Sequence, residues 1–210
     1  MAGATVQFFF GLGSRYSYLA STQIAQLEAE TGCRVQWLPI ISGDLMRRRG
    51  QNPFASRTSS GDWSGVSISG QYSEQYRATD LKRWAELYDV PFHAPKPSRT
   101  DERRRTLYCV AAALAGHAAA YSRAMFDALY VANVAVGEDD CLRLADSINV
   151  APDLLRARVD SGEAEKRHGE IIALALSKSA FGVPTFVCGD ELFWGNDRLC
   201  LLRHHLRTSS

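Results

Sequence analysis

The sequence predicts an α/β protein in which one small mixed sheet is built from two distant segments. A β-α-β pattern occupies residues 5–41, helical patterns fill most of 74–179, and a β-β-α pattern spans 182–206. We therefore predict a discontinuous sheet domain, 1–73 and 180–210, that is interrupted by a helical insertion domain at 74–179.

The first unit begins with a short apolar segment, residues 5–10, whose valine and three phenylalanines are typical of a buried strand. A helical pattern follows from Tyr16 to Thr31, and Gly32 stands where a helix commonly ends. The next β-rich segment runs from Cys33 to Ile41, and Pro39 either restricts it to an edge position or ends regular pairing there. A helix that connects two neighbouring strands favours a parallel pair.

The middle of the chain is predominantly helical. Residues 57–71 are rich in serine and glycine and predict a long loop, either a lid or a plain insertion. Apolar residues then recur with helical spacing over 81–88, where Pro91 ends the helix, and over 107–129. Further helices are predicted at 138–148, 152–160 and 163–179.

The last unit has the pattern of a hairpin and a helix. Gly182 to Cys188 predicts a strand, Gly189-Asp190 a tight turn, and residues 191–194 the returning antiparallel strand. Asn196 or Asp197 is then expected to cap a final helix.

Composition excludes several classes of function. The 210 residues are 46% hydrophobic with a net charge of +1, which gives no reason to expect a nucleic acid or an acidic membrane as partner. No apolar stretch has the length of a membrane span. The five cysteines lack C-x-x-C spacing and no secretory signal is recognisable, so we expect reduced thiols in a cytoplasmic protein. The five histidines lack metal-ligand spacing, and no metal site is predicted.

The junction between the first strand and its helix is the candidate site. A strand, a glycine-containing turn and a helix start leave backbone N–H groups that attract anions, and Ser14 would lie at their opening. The alternative for Ser14 is a capping residue, and Ser17 is interpreted as a capping or packing residue. Two serines cannot form a disulfide, so dithiol redox chemistry is excluded here. A serine hydrolase is disfavoured because no G-x-S-x-G motif is present.

Three segments carry a family resemblance that covers nearly the whole chain in order. Residues 14–20 (S-R-Y-S-Y-L-A) resemble the S-P-Y-S-(Y/W)-L segment of 2-hydroxychromene-2-carboxylate isomerases and kappa-class glutathione transferases. Residues 182–187 (G-V-P-T-F-V) resemble their G-V-P-x-F strand, and 193–199 (F-W-G-N-D-R-L) their F-x-G-x-D-R-L helix start. The resemblance implies a thioredoxin-like fold with a large DsbA-like helical insertion.

The resemblance also implies site residues. Ser14 would hydrogen-bond the thiolate of bound glutathione, and Val183 and Pro184, joined by a cis bond, would pair with its backbone. Asn196 and Asp197 would hold its γ-glutamyl end, and Asn52 would lie near the sulfur. Each has a plainer interpretation: a helix cap for the serine, Asn196 and Asp197, an ordinary strand-leading proline, and a turn at Asn52-Pro53.

The implied activity is a glutathione-dependent isomerisation of 2-hydroxychromene-2-carboxylate or a related conjugated aromatic carboxylate. Reversible addition of the thiolate would open the ring, allow a bond to rotate, and end with release of the thiol. A kappa-like glutathione transferase and a non-catalytic thioredoxin-like binding module are the alternatives. The family also implies a homodimer that acts on a small aromatic substrate.

Arg15 departs from the family pattern, which has proline after the first serine. The replacement restores a backbone N–H and places a flexible cation beside the predicted pocket. Arg15 is therefore a candidate for contact with a substrate carboxylate, as is the run of three arginines at 47–49. That run and the one at 103–105 are otherwise interpreted as solvated faces.

Overall fold

The computed structural model describes residues 3–49, 74–96 and 101–208. Its sheet has the strand order β2-β1-β3-β4, formed by β1 (Thr5–Phe10), β2 (Arg34–Pro39), β3 (Thr185–Cys188) and β4 (Glu191–Trp194). β1 pairs with β2 in parallel and with β3 antiparallel, and β3 pairs antiparallel with β4. The predicted mixed sheet from two distant segments is confirmed, and Pro39 lies on an edge strand as expected.

The helix predicted from Tyr16 to Thr31 is wrong in one respect, because two helices occupy that segment. α1 (Arg15–Thr22) and α2 (Ile24–Thr31) meet at Gln23. The hydroxyls of Ser21 and Thr22 donate to carbonyls one turn back, at 2.6 and 2.7 Å. Hydroxyl bonds of this kind compete with the regular ladder and bend helices, which accounts for the break.

One helix was not predicted. α3 (Ser42–Arg49) follows β2 and is too polar for its short apolar face to be recognised. The remaining helices correspond to the predicted patterns, and those at 138–148, 152–160 and 163–179 end within two residues of expectation. They are α4 (Glu74–Tyr88), α5 (Glu102–Leu114), α6 (Ala118–Phe126) with a π-helical turn (Asp127–Val131), α7 (Glu138–Ser147), α8 (Pro152–Asp160), α9 (Glu163–Ser177) and α10 (Leu199–Thr208). None of these described helices combines the length and apolar character needed to cross a bilayer.

An aromatic cluster joins the sheet to the helical insertion. The Phe8 ring stacks on Phe186 at 4.7 Å and meets the Trp37 ring edge-on at 5.2 Å. The Phe10 ring contacts that of Phe126, on α6, at 5.5 Å between centroids. The phenylalanines of β1 therefore fix the position of the insertion relative to the strand that ends at the candidate site.

Side chains from the helices accept hydrogen bonds from backbone N–H groups on the open edge of β2 and just after its end. The Val35 N–H donates to Glu28 at 2.8 Å, and the Ile41 N–H donates to Nε2 of His168 at 3.3 Å. Burial lowers the pKa of His168, so its imidazole stays neutral and accepts this bond. These contacts protect a strand edge that would otherwise be free to pair with other chains.

The arginines at 103–105 do not form the solvated face that we predicted. Arg103 pairs with Asp44 at 2.8 Å and with Glu165 at 2.5 Å, and so connects α5 to α3 and α9. Arg104 pairs with Glu138 and Asp160 at 2.6 and 2.9 Å. These partners lie 34 to 62 residues from their arginines, beyond the reach of a local pattern.

The Glu138 carboxylate should make stability sensitive to acid. Hydrogen bonds from Arg104 and then from Tyr108 lower its pKa below the ordinary 4.5. A lowered folded-state pKa contributes stability that is complete above 4.5 and is lost as pH falls through the folded value. Because the group is partly exposed, we expect Glu138→Gln to remove only about 0.5 kcal/mol of this acid dependence.

Urea unfolding between about pH 6 and pH 3 measures that change. The control is Glu86→Gln, which removes an exposed carboxylate in an i,i+4 pair at 3.8 Å. If wild type and Glu138→Gln lose stability in parallel on acidification, the role assigned to the Arg104–Glu138 bond is wrong.

Candidate functional site

Ser14 is the N-cap of α1. Its Oγ accepts a hydrogen bond from the Ser17 N–H at 3.1 Å, in a half-buried position. The hydroxyl proton is not used in that bond and remains able to donate. The capping role weighed for Ser14 is thus present, and it is compatible with donation to an anion at the same place.

Several backbone N–H groups in the turn before α1 already have hydrogen-bond acceptors. The Ser14 N–H donates to the Gly11 carbonyl at 3.1 Å, and the Gly13 N–H donates to Oε1 of Glu102 at 3.2 Å. Ser17 is fully buried and its Oγ accepts from the Gly11 N–H at 3.3 Å. Ser17 is therefore a packing residue, as predicted.

The Val183–Pro184 bond is cis, as the resemblance implied. A Cβ on Gly11, at the end of β1, would lie 3.2 Å from Cγ2 of Val183, which shows how closely the two segments approach. The Pro184 carbonyl accepts from the Gly195 N–H at 2.9 Å, whereas no backbone bond of the Val183 N–H is formed within the described ranges. The Ser14 turn and the Val183–Pro184 segment therefore meet at one end of the sheet.

Asn196 and Asp197 do not cap the final helix, contrary to expectation. They lie inside a 3₁₀ turn (Asn196–Arg198) that precedes α10 and contacts α1. Gly195 enters this turn at φ 113°, and a Cβ there would lie 2.3 Å from Oδ1 of Asp197. The other carboxylate oxygen of Asp197 pairs with Arg198 at 2.8 Å. Glycine at 195 is thus required both by φ and by space.

Asn196 has an unusual environment. Its side chain is 3% exposed, and no described residue accepts a hydrogen bond from its Nδ2. Its carbonyl accepts from the Tyr88 hydroxyl at 3.1 Å, which attaches the turn to α4. A buried amide donor without a partner is rare and commonly marks the position of a ligand or water.

Tyrosine hydroxyls connect the site to the helical insertion. The Tyr130 hydroxyl donates to the Leu12 carbonyl at 2.8 Å, and the Tyr16 hydroxyl donates to Asp80, on α4, at 2.8 Å. Tyr18 donates to the Pro91 carbonyl, and burial raises its pKa to about 12. These hydroxyls are held as neutral donors and fix the turn and α1 in place.

The remaining predictions concern Arg15, the arginine run at 47–49, Asn52 and the segment 57–71. Arg15 is half-buried and forms no ion pair with any residue that the structure describes. In the 47–49 run, the Arg49 guanidinium lies 5.7 Å from the ring centre of Phe181, just before the cis bond, while Arg47 pairs with Asp44. Asn52 and the segment 57–71 lie outside the described residues.

Glu102, Tyr130, Asp80 and Tyr88 adjoin the site and were missed from the sequence. Glu102 is 89 residues from Gly13, and Tyr130 is 118 residues from Leu12. Such contacts leave no local pattern. The only available signal was the position of Glu102 in the first turn of a predicted helix, which is shared by many surface acids.

The comparisons with known proteins agree with one another. A model of the DSBA-like thioredoxin domain matches residues 5–207. A 2-hydroxychromene-2-carboxylate isomerase of Pseudomonas putida is 28% identical over 198 residues, which is 94% of this chain and 91% of that protein. A solved 2-hydroxychromene-2-carboxylate isomerase superposes with a TM-score of 0.80 at 25% identity, over 97% of this chain and 95% of the other.

A more distant structure shares the fold alone. A probable DsbA oxidoreductase from Streptomyces coelicolor has a TM-score of 0.74 at 15% identity, over 98% of this chain and 89% of the other. The family match over residues 5–207 includes all four strands and the helices between them. The chain belongs to the DSBA-like thioredoxin domain family.

Proposed function

We propose that this protein is a glutathione-dependent isomerase that acts on 2-hydroxychromene-2-carboxylate or a related conjugated aromatic carboxylate. The main support is the hydrogen bonding of Ser14. Its Oγ accepts from the Ser17 N–H at 3.1 Å, and the hydroxyl proton stays available for donation. Relatives with this activity by name that align over nearly the whole chain support the choice of reaction.

The residues at the site are suited to a tripeptide with a thiol. The Val183 N–H and carbonyl lie beside Pro184, where an extended peptide could pair with them at this end of the sheet. The unpartnered Nδ2 of Asn196 is a donor for a carboxylate, and the Asp197 carboxylate is an acceptor for an ammonium group. One sheet end thus offers complementary groups for the backbone and for the γ-glutamyl end.

Glutathione, when bound, supplies a thiolate that adds reversibly to a conjugated substrate. Ser14 would donate its hydroxyl proton to the sulfur, and the N-terminus of α1 would stabilise the negative charge through its dipole. Both effects lower the pKa of the thiol. Arg15 adds a cation next to Ser14, in position to attract the substrate carboxylate.

Titration with glutathione tests the proposal first. We expect wild type to bind glutathione with a Kd at or below the millimolar range and Asn196→Ala to bind at least about tenfold more weakly, since one charge-assisted hydrogen bond contributes about 1.5–3 kcal/mol. Ser177→Ala, which alters an exposed serine on α9, is the control and should bind as wild type does. No calorimetric binding at millimolar glutathione would exclude both glutathione-dependent activities and favour the non-catalytic module.

A second assay separates isomerase from transferase. Isomerisation regenerates the thiol, so a catalytic amount of glutathione should convert an excess of hydroxychromene carboxylate, followed by its ultraviolet spectrum. Conjugation consumes glutathione one for one. Stoichiometric loss of free thiol would therefore support the kappa-like transferase instead.

The proposal extends to a cytoplasmic location and a homodimer. All five cysteines are free, which suits a reducing compartment. Cell fractionation and analytical ultracentrifugation are the direct measurements.

A further inference from the structure

Glu102 places a negative charge at the start of the Ser14 turn. It is the first residue of α5, and its Oε1 accepts from the Gly13 N–H at 3.2 Å. A Cβ added at Gly13 would lie 3.0 Å from the same oxygen. The carboxylate is therefore packed against the backbone one residue before Ser14.

Arg15 places a positive charge directly after Ser14 in the chain. It is the first residue of α1 and is half-buried. Unlike Arg103 and Arg104, each of which has two carboxylate partners, Arg15 takes part in no ion pair within the described chain. Its charge is thus not neutralised by a neighbouring acid.

Both charges act on one group at the base of the turn. The Tyr130 hydroxyl donates to the Leu12 carbonyl at 2.8 Å, two residues before Ser14. Burial is the main reason that the pKa of Tyr130 is raised; the charge of Arg15 lowers this pKa and that of Glu102 raises it. The two side chains therefore exert opposite fields at the same turn.

We propose that Arg15 and Glu102 tune, in opposite directions, the acidity of a thiol held at Ser14. The nearby cation stabilises a thiolate and lowers the thiol pKa, and the nearby carboxylate destabilises it and raises the pKa. The identification of that thiol as glutathione's rests on the proposed function. The field itself belongs to the Ser14 turn and acts on any thiol placed there.

Other charged and titratable groups lie near α1 and Tyr130 and remain constant in the comparison. α1 contributes Tyr16, and the 3₁₀ turn that contacts α1 contributes Asp197 and Arg198. The helical insertion contributes Arg77 and Asp80 on α4, Arg105 on α5, and Asp127 and Tyr130 in the π-helical turn. Single charge-neutralising substitutions at 15 and 102 therefore isolate the two contributions.

The test uses Ser14→Cys as a probe that needs no glutathione. The pH dependence of alkylation at the introduced thiol gives its pKa, and peptide mass spectrometry separates it from the native cysteines, of which only Cys200 is exposed. Adding Arg15→Gln should raise this pKa by about 0.5–1 unit and adding Glu102→Gln should lower it by a similar amount, less than for fully buried charges. Glutamine at 102 can still accept from the Gly13 N–H, so that the change removes charge rather than the contact.

The design has two controls and repeats the substitutions in the protein with Ser14 intact. Glu163→Gln neutralises the first residue of α9, the matching position on another helix, and should leave the pKa unchanged. Circular dichroism confirms that each variant is folded. The same substitutions are then made with Ser14 intact, and the thiolate absorbance of bound glutathione should shift with the same signs.

The outcomes separate this inference from the proposed function. Shifts of the same sign in both variants, or no shift in either, would overturn the opposing roles of Arg15 and Glu102. If the introduced thiol shifts as expected while wild type fails to bind glutathione, the tuning stands and the glutathione-dependent function is wrong.

Discussion

Ser14→Ala is expected to raise the pKa of the bound glutathione thiol by about one to two units and to reduce kcat/KM by about 10²–10³-fold. The hydroxyl belongs to the N-cap residue of α1, and its Oγ is oriented by the Ser17 N–H at 3.1 Å. Loss of a single donor to a developing or full anion in a preorganised site commonly has an effect of this size. Thiolate absorbance against pH and steady-state kinetics measure the two quantities.

Ser14→Thr is the matched control, since it keeps a hydroxyl and a good N-cap. It should restore most of the low thiol pKa that Ser14→Ala loses. Because Ser14→Ala also removes a cap worth about 1 kcal/mol, its unfolding midpoint must be measured alongside. An unchanged thiolate absorbance in folded Ser14→Ala would refute the assigned role of Ser14.

Phe8→Ala should cause the largest loss of stability, about 3–5 kcal/mol. The Phe8 ring is fully buried and stacks on Phe10 and Phe186 at 5.1 and 4.7 Å, with Trp37 edge-on at 5.2 Å. Truncation removes apolar burial and leaves a cavity in the middle of the sheet. Against a total stability of about 5–15 kcal/mol, this loss is a large share of the free energy of unfolding.

The midpoint of urea unfolding gives the measurement, with Phe8→Leu expected to fall between wild type and Phe8→Ala. Leu87→Ala is the control for an apolar truncation on the surface, because Leu87 is 71% exposed and should change stability by less than about 0.5 kcal/mol. A loss below about 1 kcal/mol in Phe8→Ala would show that the Phe8 cluster is not the centre of the sheet's packing.

Local chemistry explains which elements the sequence predicted well. The phenylalanines of β1, the turn at Gly189-Asp190 and the apolar stripes of α5 and α9 are signals contained within a few residues. Each of these segments buries an apolar face whatever it packs against. Its secondary structure can therefore be predicted without knowing which elements it contacts. The break at Gln23 and the helix α3 failed because hydroxyl back-bonding and a highly charged short helix leave weak periodicity.

The candidate site also has features that the sequence predicted and features that depend on the fold. The order of strand, glycine turn and serine was sufficient to predict the helix start at Ser14, and the family resemblance of residues 182–187 implied the cis bond before Pro184. The absence of cysteine at 14 and 17 by itself excluded dithiol chemistry there. The helix start and the missing cysteines are properties of the residues themselves, and no fold is needed to state them.

Only the tertiary structure decided what surrounds Ser14. Glu102 reaches Gly13 across 89 residues and Tyr130 reaches Leu12 across 118, while Asn196 enters a 3₁₀ turn in place of the helix cap that its sequence favours. The reason is physical: hydrogen bonds and fields depend on distance in space, and packing of the helical insertion on β1 sets those distances. The sequence by itself therefore determined the chemistry available at Ser14, and the fold decided which charges act on it.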